Sequence, residues 1–132
     1  MAGSAISWES RKQQTVALSS TEAEYISLCE SAKESVYLRR FLNELGYELK
    51  EPTLIFCDNQ GAQKLMKNSV FHSRTKHIDI RNHYLREIYE NGQIDANYLP
   101  TVDMTADFLT KNLNSTKHIK CCQSINLNNL YN

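Results

Sequence analysis

A short, continuous apolar run between amphipathic segments constrains the fold of this 132-residue chain more than any other feature. The run "TLIFC" at residues 53–57 is rich in β-branched and aromatic residues, a composition typical of a buried strand. It stops at "DNQGA", whose residues favour turns and helix caps. Farther along, "QIDANYL" at residues 93–99 alternates apolar and polar residues and predicts a half-exposed strand. Helical patterns surround both runs, so we predict a layered α/β domain with a partly parallel sheet.

The longest helical pattern begins after "LSST" and continues to about Leu45. Ser19, Ser20 and Thr21 offer N-cap hydroxyls, and Thr21-x-x-Glu24 has the spacing of a capping box. Its apolar positions form a stripe that should pack on the core: Tyr25, Leu28, Cys29, Ala32 and Val36, continued by Leu38, Phe41, Leu42 and Leu45. Shorter helices are predicted within residues 62–68, 78–92, 101–113 and 115–127. Residues 4–18 are predicted to be extended. Trp8, Tyr84 and Tyr98 are predicted to pack in the core rather than to stack on bases.

Composition excludes several classes of protein. Fifteen basic residues balance fifteen acidic ones, and 41% of the residues are apolar, as in an ordinary globular domain. The apolar runs are too short to cross a membrane, and the N-terminus resembles no signal peptide. Four cysteines without C-x-x-C spacing are typical of an intracellular chain with reduced thiols.

Three acids occupy similar positions on different elements: Glu24 early in the long helix, Asp58 directly after the apolar strand, and Asp107 early in a later helix. Carboxylates that converge from separate elements bind hard cations such as Mg²⁺, and Mn²⁺ is a possible substitute. Each acid also has a purely structural interpretation, as a capping-box acid, a turn residue or an acid at a helix N-terminus. Spacing alone leaves both interpretations open.

Four ordered motifs, "TVALSSTEAEYISL", "CDNQGA", "FHSRTKHIDIRNHYLRE" and "YLPTVDMTADFLTK", resemble the ribonuclease H domain of copia-type LTR retrotransposon Pol polyproteins. The resemblance covers residues 4–113 and leaves 114–132 as a C-terminal helix and tail. It implies a ribonuclease H-like three-layer fold with a mixed sheet. It also implies Mg²⁺-dependent hydrolysis of the RNA strand of RNA–DNA hybrids during reverse transcription. The residues that match the catalytic and metal-binding acids are Glu24, Asp58 and Asp107, whereas Glu22 and Asp103 match neither and are interpreted as a first-turn acid and an N-cap.

The resemblance begins at the third strand of that family, so we expect the first two strands, one carrying a further catalytic aspartate, to be missing. Loss of a ligand should make this chain alone a weak or inactive nuclease. The alternative is a non-catalytic nucleic-acid-binding or protein-interaction remnant of a retroelement. The expected partners are an RNA–DNA hybrid and the reverse transcriptase part of the same polyprotein, in a cytoplasmic virus-like particle or the nucleus.

A basic window from Lys64 to Arg86 contains six Lys or Arg residues and one acid. Arg74, Lys76 and Arg81 are the candidates for contacting phosphates, with a solvated basic face as the alternative. Two histidines of this window, His72 and His77, could join Cys121 and Cys122 in a zinc site. Adjacent cysteines are poor co-ligands, so the sequence disfavours that site.

Overall fold

A computed structural model describes residues 3–68 and 76–127, with the backbone alone for residues 76–82. The described elements are α1 (Ser20–Glu44), β1 (Thr53–Cys57), α2 (Gln60–Lys67), α3 (Lys76–Glu90), β2 (Ile94–Tyr98), a 3₁₀ helix (Thr105–Leu109) and α4 (Ser115–Ser124). The mixed α/β class predicted from the sequence is confirmed. The described residues form two compact units, one within residues 17–99 and the other within residues 3–16 and 100–127. No helix in the described part of the chain combines the length and hydropathy that crossing a bilayer requires.

Helix α1 is the main support of the larger unit. It ends where predicted, with Leu45 as C-cap and Gly46 at a positive φ of 86°, a conformation that glycine adopts without strain. The first part of the predicted apolar stripe, from Tyr25 to Val36, is buried. In the second part Leu38 and Leu42 are half-buried, but Phe41 and Leu45 are exposed, so the prediction is wrong for these two residues. An amphipathic pattern shows which face of a helix is apolar but not how far along the helix a partner extends.

Strands β1 and β2 form a two-stranded parallel sheet in which Ile55 pairs with Ala96 and Cys57 with Tyr98. One face of the sheet packs into the core through Ile94 and Ala96. Leu54 and Phe56 on the other face are exposed, so the prediction that residues 53–57 form a buried strand is wrong for that face. The burial of Ile94 and Ala96 confirms the predicted half-exposed character of β2, but Tyr98, predicted to pack in the core, is 47% exposed. Parallel strands need a crossover connection, and α2 and α3 supply it here.

The core lies between the sheet and helices α1, α2 and α3. Its most completely buried large side chains come from different elements: Met66, Leu85, Ile94 and Cys29. Arg39 of α1 fastens the loop that enters β1, donating to the backbone oxygens of Glu51 at 2.7 Å and Leu49 at 2.8 Å. Helix α1 therefore fixes the loop that leads into β1.

The smaller unit differs most from the sequence prediction. Residues 4–18 form no strand in the described structure, and Trp8 is 73% exposed rather than in the core. A strand needs a neighbouring backbone to accept its hydrogen bonds, and in the described residues only β1 and β2 pair. The predicted helix over 101–113 is only a turn and the 3₁₀ helix, whereas α4 is confirmed. Asp103 is not an N-cap, since Met104 precedes the 3₁₀ helix and Asp103 instead contacts Lys120.

Candidate metal centre

The start of α1 decides the role of its two glutamates. Ser19, not Thr21, is the N-cap, and its hydroxyl accepts the backbone N–H of Glu22 at 3.1 Å. The Glu22 carboxylate accepts the backbone N–H of Leu18 at 2.7 Å. This arrangement is close to a capping box, two residues earlier than the predicted one. Glu22 is thus the first-turn acid, as predicted, and the capping interpretation of Glu24 is wrong.

Asp58 lies between the last residue of β1 and the N-cap of α2. That N-cap is Asn59, whose side chain accepts the backbone N–H of Ala62 at 3.0 Å. Gln63 Nε2 donates to the backbone oxygen of Cys57 at 3.0 Å, so α2 also holds the end of the strand. The strand end and the helix start are fixed together, and Asp58 is the residue between them.

Glu24, Cys57 and Asp58 form one cluster, in which one ligand atom from each residue lies within 4.8 Å of the others. Cys57 is buried, whereas Glu24 and Asp58 are half-buried. Two of the three predicted acids therefore converge, one from a helix and one from a strand end. A group of two carboxylates and a thiol can hold a divalent cation.

Burial and the neighbouring acids determine the protonation of Cys57. Burial raises the pKa of the thiol above its usual range, and the charges of Glu24 and Asp58 raise it further, against a hydrogen bond with the backbone of Asn59. Without a metal, the thiol is protonated at neutral pH. Its sulfur accepts the Asn59 N–H at 3.4 Å, which fixes the sulfur position beside the carboxylates.

Gly61 permits the close approach of α2 to α1 at this site. A Cβ atom there would lie 3.0 Å from Thr21 Cγ2 and 3.0 Å from Asn59 Oδ1, which is tighter than most real Cβ contacts, so these side chains would have to shift. The glycine therefore allows the N-terminal ends of the two helices to meet. Thr21 lies one helical turn before Glu24, and Asn59 directly follows Asp58, so the contact lies beside the two acids in the chain.

Asp107 belongs to the smaller unit, and its partners there are two lysines. The carboxylate is buried, with Lys111 Nζ at 2.8 Å and Lys117 Nζ at 3.0 Å. Burial opposes its ionisation, but the hydrogen bonds and charges of the lysines outweigh burial and lower the pKa of Asp107. Lys117 also donates to the backbone oxygen of Thr101 at 3.0 Å. In this conformation the Asp107 carboxylate is neutralised by the chain's own cations.

For the remaining predicted binding residues of the basic window, the structure describes either the backbone alone or nothing. Arg74 and His72 lie outside the described residues. Lys76, His77 and Arg81 belong to α3, for which only the backbone is described at these positions. The phosphate contacts therefore stay predictions, and so does the disfavoured zinc site.

Cys57 is the member of the cluster that sequence reasoning missed. In an extended strand, consecutive side chains point to opposite faces, so Cys57 and Asp58 would be expected to diverge. Asp58 lies beyond the strand, where the alternation no longer holds. The sequence did carry one signal for a role of Cys57, because it directly precedes the candidate ligand Asp58 at the end of the strand.

The sequence is homologous to segments of much longer proteins. It is 45% identical over 125 residues, 95% of the chain, to the retrovirus-related Pol polyprotein from transposon TNT 1-94 of Nicotiana tabacum. It is also 46% identical over 84% of its length to the retrovirus-related Pol polyprotein from transposon RE1 of Arabidopsis thaliana. The chain spans only 9% and 8% of these two relatives. No family model matches the chain, and no solved structure matches it.

The resemblance to retrotransposon Pol polyproteins is thus confirmed, and the part of the polyprotein to which the chain corresponds stays a prediction.

Proposed function

We propose that the chain provides part of a divalent-cation-dependent nuclease site of the ribonuclease H type, which hydrolyses the RNA strand of RNA–DNA hybrids. One observation carries the proposal: Glu24 and Asp58 approach each other from separate elements at the carboxyl end of β1. In open α/β sheets, ligand sites lie beyond the carboxyl ends of parallel strands. The homology to Pol polyproteins provides the context in which such hydrolysis is needed.

The donor atoms of the cluster suit Mg²⁺ or Mn²⁺. Mg²⁺ is usually held by one or two carboxylates, with waters and substrate phosphates completing an octahedron. Glu24 and Asp58 are both only half-buried, which leaves room for those other ligands. When bound, such a cation supplies the charge that stabilises the attacking and leaving oxygens of phosphodiester hydrolysis.

Asp107 is the proposed third carboxylate, and its role would require a change of partners. Its charge is now balanced by Lys111 and Lys117. A ligand role at the metal centre would require these ammonium groups to release the carboxylate, for example to phosphates of the bound hybrid. This requirement agrees with the expectation that the chain alone is a weak nuclease.

The substrate side of the proposal rests on the basic window. Arg74, Lys76 and Arg81 are proposed to contact hybrid phosphates, and the reverse transcriptase part of the polyprotein is the proposed partner. Phosphate contacts by basic residues release counterions, so binding falls with salt concentration. Charge reversal at these three positions should weaken hybrid binding and flatten its salt dependence.

The decisive experiment measures Mn²⁺ binding by calorimetry and hybrid cleavage with a labelled RNA strand. Glu24→Gln and Asp58→Asn should each abolish measurable Mn²⁺ binding, and Asp58→Asn should remove any cleavage. Glu22→Gln is the matched control, because it removes a carboxylate two residues away on the same helix. The proposal fails if Glu24→Gln and Asp58→Asn bind Mn²⁺ as the parent chain does.

The lysine pairing of Asp107 favours a second candidate, a non-catalytic remnant that binds nucleic acid or protein. A buried carboxylate with two ammonium partners has a structural role that needs no metal. In that case hybrid would bind without cleavage, and Mn²⁺ would leave the affinity unchanged. Robust Mg²⁺-dependent cleavage that Asp58→Asn abolishes would exclude it.

A further inference from the structure

Cys57 gives the Glu24–Asp58 cluster a chemistry that two carboxylates lack. Its sulfur lies in the same group of ligand atoms, within 4.8 Å of both carboxylates. The Asn59 backbone holds that sulfur through contacts with the N–H at 3.4 Å and the carbonyl oxygen at 3.6 Å. The sulfur is therefore fixed beside the carboxylates by the same turn that positions Asp58.

A thiolate discriminates between cations. Sulfur is a poor ligand for Mg²⁺ and a strong one for Zn²⁺ and Cd²⁺. In proteins, Zn²⁺ binds sulfur at about 2.3 Å and carboxylate oxygen at about 2.0–2.2 Å, so such ligands on one tetrahedral ion lie about 3.6 Å apart. The ligand atoms of the cluster lie within 4.8 Å of one another, so they would move closer together to bind one ion. Three protein ligands would leave one tetrahedral position for water or substrate.

We propose that Glu24, Cys57 and Asp58 form a binding site for thiophilic divalent cations of the Zn²⁺ and Cd²⁺ class, which compete there with Mg²⁺ and Mn²⁺. The inference rests on the proposed function, since it uses the same two carboxylates. On binding, the thiol proton passes to solvent and the sulfur joins the carboxylates around the cation. A thiophilic cation thus occupies the centre and excludes the hard one, so traces of zinc inhibit hard-cation binding.

The other three cysteines do not belong to a group of three possible metal ligands in the described part of the chain. Cys29 and Cys121 are buried, and Cys29 belongs to the core cluster. Cys122 lies 3.8 Å from His118 Nδ1 on α4, which makes a pair of possible ligands rather than three. This pair is the background that an experiment must remove, and Cys122→Ser removes it.

The test uses the full chain with Cys122→Ser as the parent and Cys57→Ser in that parent as the variant. Titration with Cd²⁺ is followed by the ultraviolet sulfur-to-cadmium charge-transfer absorption, and Zn²⁺ and Mn²⁺ dissociation constants come from calorimetry. We expect the parent to show the absorption and the variant to lose it. The preference for Zn²⁺ over Mn²⁺ should fall about tenfold or more, equivalent to about 1.4 kcal/mol of binding free energy.

A ¹¹³Cd NMR spectrum of the Cys122→Ser parent reports sulfur ligation with Cys57 in place, so a poorly folded Cys57→Ser variant would not decide the matter. A shift typical of one sulfur among oxygens supports the proposal, and an all-oxygen shift overturns it. An unchanged Zn²⁺ preference in a folded Cys57→Ser variant also overturns it. If Mn²⁺ binding still depends on Glu24 in that case, the proposed function stands. If neither Mn²⁺ nor Zn²⁺ binds, both proposals fail together.

Discussion

Replacing Asp107 with asparagine should destabilise the smaller unit, because its carboxylate is the common partner of two lysines. The side chain of Asp107 is 7% exposed, and the lysine nitrogens lie 2.8 and 3.0 Å from its two oxygens. Asparagine keeps the shape but directs an amide N–H toward one ammonium group. A buried donor facing another donor is left unsatisfied.

The two lysines should contribute unequally to the free energy of unfolding. The Lys111 side chain is 49% exposed, so its ion pair is screened and contributes about 0.5 kcal/mol or less. The Lys117 side chain is 24% exposed, and its charged hydrogen bond contributes about 1.5–3 kcal/mol. We therefore expect Asp107→Asn to cost about 2 kcal/mol at pH 7, and Lys117→Ala to cost more than Lys111→Ala.

The effect should also depend on pH, with a sign that follows from the lowered pKa of Asp107. A carboxyl whose folded-state pKa lies below its unfolded value stabilises the fold at pH values above the unfolded one. That stabilisation is lost as the pH falls through the folded-state pKa. The stabilities of Asp107→Asn and the parent should therefore converge in acid.

The assay is urea unfolding followed by circular dichroism at pH 7 and in acid, with amide exchange of residues 105–124 to localise the effect. Equal stability of parent and Asp107→Asn at pH 7 would refute the ion-cluster argument. So would a stability difference that does not shrink in acid. A Lys111→Ala loss larger than the Lys117→Ala loss would contradict the assignment of the stronger bond.

Three further predictions concern the elements that hold the metal centre. Ser19→Ala removes the N-cap of α1 and should cost about 1 kcal/mol in urea unfolding, whereas Ser20→Ala, already inside the helix, should cost little. Gly61→Ala should lower the melting temperature and weaken Mn²⁺ binding, and adding Thr21→Ala should restore part of both by removing the contacting atoms. Arg39→Ala should cost about 1–2 kcal/mol by releasing the loop before β1, and Arg39→Lys should recover only part because lysine lacks the planar fork.

The sequence predicted the elements whose signals are local. Strands β1 and β2, the end of α1 at Gly46 and the existence of α4 all follow from apolar periodicity and turn residues. The predicted helix over 101–113 and the predicted burial of Trp8 are wrong. Both depended on a packing partner, and a pattern within a segment shows its apolar face without showing what covers that face. The Glu24–Asp58 site was predicted only in part. The sequence identified both acids, but their convergence depends on how α1 and β1 pack, and the spacing of residues along the chain does not show that packing.

The register of the α1 cap shows why the metal centre needed a structure. Both Ser19-x-x-Glu22 and Thr21-x-x-Glu24 satisfy the capping-box pattern, and they differ by two residues, more than half a helical turn. With Thr21 as the N-cap, the Glu24 carboxylate would accept a backbone N–H at the start of the helix. With Ser19 as cap, the backbone N–H groups of the first turn are served by Ser19 and Glu22, and Glu24 moves into the second turn beside Asp58. Ser19→Ala therefore tests the site as well as the helix. If the helix start shifts to Thr21, Glu24 is drawn back into the cap, and Mn²⁺ affinity should fall by more than the loss of helix stability explains.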